Sequence, residues 1–328
     1  MNARVQHVTP VRPSRAEGPV AAVYSRSETE LGTAGPVVRM LSPAPELLAP
    51  VWSLLRESLL VGGPAERVGK EVVALTVSLR NGCSFCTAAH AGFLDLLTDD
   101  QLGTRIAKGE DPAEYAALTA WARDPSGPPP CEPGEVPRYT GTLLAKEVVT
   151  RFVDVLVAPG DPSFSSPSQE AAFYASVKAA LARDLVPGES LAEVNDLRER
   201  LENGLWGDPV RLTPNEPAWA AGSPVGSAYA HFQAVAGMGR RLMSPEAAVI
   251  LEERVAEDAS EIGDAARYLP AQARRGLEIA FSSGQRPHAI TAGLMEEWRR
   301  GDMSDHCALF VMAFGIGQAL RRMEKRVR

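Results

Sequence analysis

Glu71-Val-Val-Ala-Leu-Thr-Val-Ser-Leu-Arg-Asn-Gly-Cys-Ser-Phe-Cys-Thr-Ala-Ala-His90 holds two of the four cysteines in this 328-residue chain. Val72, Val73, Leu75, Thr76 and Leu79 give a helical apolar face, interrupted by Glu71, Ser78 and Arg80. Asn81-Gly82 stops that helix, because both residues tolerate left-handed backbone. Cys83 then opens a second helix, for which Asn81 is a suitable cap. On it Cys83, Cys86 and His90 are spaced i, i+3 and i+4, so they share a face. A dithiol at a helix N-terminus sits where the macrodipole favours thiolate over thiol.

This residue set fits a nucleophile, base and orienter. Cys86 would be the thiolate, His90 its proton acceptor and Glu71 the carboxylate that orients the imidazole. Cys83 would close a disulfide on an oxidised Cys86. Three plainer readings stand beside this one. The cysteines could be small apolar core residues. Glu71, Cys83, Cys86 and His90 could hold zinc, although no second Cys/His pair supports that. Glu71 could be a solvated helix residue.

Glu, then after twelve residues Cys-x-x-Cys, then x-x-x-His, resembles the signature of the carboxymuconolactone decarboxylase superfamily, and specifically its alkyl hydroperoxidase D (AhpD-like) branch. The match runs from Lys70-Glu71 through Val77-Ser78-Leu79-Arg80-Asn81 to Cys83-Ser84-Phe85-Cys86 and His90, within about 41–97. The resemblance implies an all-α, oligomeric fold. It also implies that Cys86 attacks peroxide, Cys83 resolves, and His90 and Glu71 relay the proton. Some relatives carry a second histidine between the cysteines, where this chain has Phe85. Decarboxylases of the superfamily generally lack the dithiol.

The formal net charge of −7 gives no basic patch for nucleic acid. No apolar run approaches the ~20 residues that span a bilayer, and the N-terminus lacks a secretory layout. Four cysteines in so long a chain make no disulfide framework. A reducing, cytoplasmic location with no membrane partner is expected.

Four segments are expected. Residues 1–36, polar, basic and Pro-bearing, read as a disordered tail, with Val20–Tyr24 as a short packed arm in a second reading. Residues 37–160 form the AhpD-like catalytic bundle, including helices over about 65–79, 83–97 and 139–157. Trp52 and Phe85 read as core, and Ser78 as bonded to its own backbone. Cys131, in a Pro-rich loop, reads as an incidental thiol. Residues 161–227 are a helical, then Pro/Gly-rich connector after a turn-rich loop over Pro159–Pro167. There Trp206 and Trp219 either line an entrance or pin the loop. Residues 228–328 are helical again and form a candidate degenerate repeat. Pro287–Leu294 lies over Cys83–His90, putting Ile290 at the place of Cys86 and Leu294 at that of His90. His231, His288 and His306 read as structural or surface residues.

The sequence thus predicts an all-α AhpD-like bundle, with the active site in the first repeat only, working as a homo-oligomeric thiol peroxidase. It would take a hydroperoxide as substrate and an external dithiol as electron donor, and would need no cofactor or metal. A disulfide oxidoreductase for one partner and a non-catalytic redox-responsive scaffold are the alternatives.

Overall fold

The computed structural model describes residues 3–158 and 166–328, and among these the chain is helical, with isolated bridges but no strand. The expected loop over Pro159–Pro167 lies mostly outside the described residues. The first half contains α1 (Gly18–Glu30), α2 (Pro36–Arg39), α3 (Pro45–Leu55), α4 (Pro64–Arg80), α5 (Ser84–Leu97), α6 (Leu102–Ala107), α7 (Ala116–Arg123) and α8 (Val136–Leu156). The connector carries α9 (Pro167–Leu181) and α10 (Leu191–Glu202). The last part contains α11 (Pro224–Gly237), α12 (Pro245–Ala256), α13 (Ala271–Gln285), α14 (Ala292–Arg299) and α15 (Asp305–Arg326).

Helix α8 is the axis of the molecule and packs against α3, α4, α11 and α15. Its Leu143, Leu144, Val148 and Phe152 join Phe232, Phe281 and Phe310 in one apolar cluster that runs through both halves. Helices α13 and α15 cross closely at glycines. A Cβ on Gly315 would lie 1.7 Å from the carbonyl oxygen of Ala280, and one on Gly284 would lie 2.6 Å from that of Gly315.

The N-terminal segment is not the disordered tail that its composition suggests. Over residues 18–30 it is helix α1, which buries Val20, Val23 and Tyr24. A buried ion network holds it. Arg56, fully enclosed, donates from Nε to Glu30 Oε2 at 2.6 Å and from Nη1 to Glu57 Oε1 at 2.8 Å. It also donates from Nη2 to Glu189 Oε2 at 2.9 Å. Arg56 and Glu57 sit in a single π-helical turn, Arg56–Leu60, that extends α3. One guanidinium therefore joins α1, α3 and the turn before α10, a tertiary effect that local composition does not display.

Two further expectations change. Pro287–Trp298 is not one helix. It is a 3-10 turn, Pro287–Ala289, followed by extended Ile290 and then α14. Thr291 starts α14 by accepting from Leu294 N at 3.2 Å, a cap that competes with continuing the first turn. The segment laid over Cys83–His90 thus departs locally from the continuous α5. Trp206 and Trp219 pin the loop and line no entrance to the thiol site. Trp206 Nε1 donates to Glu46 Oε1 at 3.1 Å, with its ring edge against Phe310. Trp219 Nε1 donates to Glu324 Oε1 at 3.2 Å.

Candidate active site

The turn between α4 and α5 places the thiols. Gly82 takes a positive φ of 70°, a geometry in which a side chain would be strained. Asn81 does not cap α5. It ends α4, and its Nδ2 donates to Thr150 Oγ1 of α8 at 2.8 Å. Cys83 is itself the N-cap residue, and its N–H bonds the carbonyl oxygen of Ser78. Cys86 falls in the first turn of α5, where unpaired backbone N–H groups favour an anion. Ser78 donates to Ala74 O, as a helix hydroxyl commonly does.

The structure brings the four expected residues together, and all are buried: Glu71 is 0 %, Cys83 1 %, Cys86 2 % and His90 5 % exposed. Both thiols are unbridged. Glu71 is no solvated helix residue. Its Oε2 lies 2.6 Å from His90 Nδ1, and its Oε1 accepts from Arg67 Nε at 3.0 Å. Burial opposes charge on this carboxyl, but His90 and Arg67 outweigh it and hold the pKa at about 2. Glu71 is therefore a carboxylate and only accepts, so His90 Nδ1 carries the proton and Nε2 is left as a base. Burial, followed by the nearby Lys146 charge, lowers the His90 pKa to about 4, so the imidazole is neutral near pH 7.

Three residues at this site escaped the sequence reading: Arg67 of α4, already met beside Glu71, and Lys146 and Asp154 of α8. Lys146 is 2 % exposed and its charge reaches Cys86 as well as His90. Burial pushes the Cys86 pKa up, but hydrogen bonds from Cys83 and Lys146 and the Lys146 charge turn the net shift downward. The Cys83 thiol moves the other way, first because it donates to Cys86, then through burial and the neighbouring Asp154. Lys146, Thr150 and Asp154 lie at i, i+4 and i+8 on one face of α8. Polar residues inside the apolar run 139–157 were the available signal.

An apolar pocket opens over Cys86, His90 and Lys146. Its walls include Val37, Leu59, Phe93 and Phe173. Phe85 is core, as expected, and also lines this pocket. Cys131 stands apart in its loop, lining a surface hollow with Glu132 and Tyr139. Among the described residues no group of three or more His, Cys, Asp or Glu side chains could hold a metal ion. No helix among them is long and apolar enough to cross a membrane.

Fold and site together define an all-α protein with a buried dithiol, imidazole and carboxylate set. No family model matches the chain. Along nearly its whole length, however, it is similar to a protein of Mycobacterium tuberculosis named alkyl hydroperoxide reductase. Identity is 31% over 338 residues, covering 97% of this chain and 94% of the relative. The chain belongs to the AhpD-like family.

Proposed function

We propose that the protein is a thiol-dependent peroxidase. The observation that carries this reading is that His90, bonded to Glu71, and Cys86 line the same apolar pocket. In the proposed cycle His90 Nε2 takes the Cys86 proton, and Glu71 holds the resulting imidazolium. The thiolate attacks the terminal peroxide oxygen and the O–O bond breaks. Cys86 becomes a sulfenic acid, and the leaving alkoxide takes the proton from His90. Cys83 then forms the disulfide with loss of water, and an external dithiol reduces it. This cycle calls on no metal, haem or flavin. The relative's name, alkyl hydroperoxide reductase, supports an oxidoreductase of this kind. Burial of both thiols favours a small peroxide over a protein disulfide as the oxidant, because a protein disulfide needs open access. We also read 228–328 as a copy without the Cys-x-x-Cys pair and its histidine, one that serves packing. A homo-oligomeric, cytoplasmic protein is part of the same proposal.

Steady-state consumption of an organic hydroperoxide with a small dithiol as reductant tests the cycle. Wild type should turn over, and His90→Gln should lose about a hundredfold or more of kcat/KM. Equal turnover by wild type and His90→Gln would contradict the relay.

A further inference from the structure

A second cavity lies on the Cys83 side of the dithiol. It is lined by Gly82, Ser84 and Phe85, which flank Cys83 in sequence, and by Asp154 and His288. The Asp154 side chain is only 6 % exposed. Its Oδ2 is buried and has no hydrogen-bond partner. The nearest cation-forming group, His288 Nε2, stands 3.7 Å away, beyond hydrogen-bond reach, on a side chain that is 62 % exposed. Burying a carboxylate oxygen without a hydrogen bond is unfavourable, and His288 at 3.7 Å offers it charge but no hydrogen bond. Residues on both sides of Cys83 share this cavity with Asp154, and the carboxylate raises the pKa of the Cys83 thiol.

We propose that Asp154 is the general base for the resolving thiol Cys83, separate from the His90 base that serves Cys86. The proposal rests on the peroxidase reading for its sequence of steps. As Cys83 Sγ attacks the Cys86 sulfenic sulfur, the S–H proton passes to the Asp154 carboxylate. The S–S bond forms, the Cys86 S–O bond breaks, and the departing hydroxide leaves as water with the proton that Asp154 has just taken from Cys83. Two thiols that must deprotonate in succession are thereby given two different bases. Burial raises the Asp154 pKa, against the influence of Cys83 and the charges of His288, Arg151 and Lys146. His7 also lines the cavity. A raised carboxyl pKa makes Asp154 a better base for a thiol.

The test follows disulfide closure in Asp154→Asn by rapid quench and mass spectrometry, after a pulse of hydroperoxide and, separately, of diamide. Diamide forms its own adduct on Cys86, which Cys83 must also resolve, so this arm does not depend on peroxide chemistry. Closure in Asp154→Asn is expected to be at least about tenfold slower in both arms. Sulfenic acid should accumulate in the peroxide arm, and the pH profile of closure should shift to the alkaline side. Asp154→Glu should recover part of the rate. Closure at the wild-type rate and pH dependence in the diamide arm would overturn the role of Asp154. Failure of wild type to react with peroxide, with slow diamide closure in Asp154→Asn, would instead sink the peroxidase reading and leave Asp154 assigned to Cys83.

Discussion

The downward shift of Cys86 against full burial depends on Lys146 and on the Cys83 hydrogen bond. Lys146→Met keeps the volume and the apolar stem but removes the charge. The Cys86 pKa should then rise, and the thiolate fraction at neutral pH should fall about tenfold for each unit of rise. Peroxide-driven thiol loss near pH 7 should slow accordingly and recover toward alkaline pH. A Lys146→Met protein with the wild-type rate near pH 7 would show that Lys146 does not tune Cys86. The grouping of Cys83, Cys86, His90 and Glu71 was legible in the sequence because local helical spacing places three of them. Lys146, Asp154 and Arg67 were not. The first two reach the thiols from a helix about sixty residues away, and Arg67 is an ordinary helix residue until its burial is known.

Between elements, the Arg56 network decides whether α1 and the connector stay on the bundle. Glu30 and Glu57 are buried and meet the same guanidinium. Arg56→Met would leave both without this cation, and breaking a buried pair in this way costs about 3–5 kcal/mol. Chemical denaturation should show a loss of that size, with proteolytic cuts appearing first in α1. Unchanged stability would mean that α1 is held by its apolar face alone. The helices themselves were legible in the sequence. The α4 and α5 segments expected at about 65–79 and 83–97 appear at Pro64–Arg80 and Ser84–Leu97, since apolar period, Pro64 and Gly82 mark their ends. α1 was not, because its order comes from ion pairs made with segments far along the chain.

For the whole molecule, the buried Glu71–His90 pair should make folding acid-sensitive. The His90 pKa drops from 6.5 to about 4 on folding. Between those values the unfolded chain binds a proton that the native protein refuses, so stability falls as pH drops from about 6.5 to 4. Glu71 is depressed from 4.5 to about 2, and its contribution, present above about pH 4.5, is lost as pH falls through that range. The His90 difference alone amounts to roughly 3 kcal/mol. The melting temperature should therefore decline measurably between about pH 6.5 and pH 4.5, and His90→Gln should flatten that part of the curve. An equally steep curve in His90→Gln would place the acid sensitivity elsewhere. The all-α class was legible at this scale, but the continuity of one core through both halves depends on contacts that no local pattern encodes.

The central claim is that Cys86 is oxidised by peroxide and Cys83 completes the disulfide. The most direct measurement is the rate of thiol loss in the reduced protein with an organic hydroperoxide, beside Cys86→Ser and Cys83→Ser. Fast loss of two thiols in wild type is predicted, with no fast phase in Cys86→Ser and arrest at sulfenic acid in Cys83→Ser. Thiol loss in wild type no faster than that of an ordinary free cysteine would contradict it.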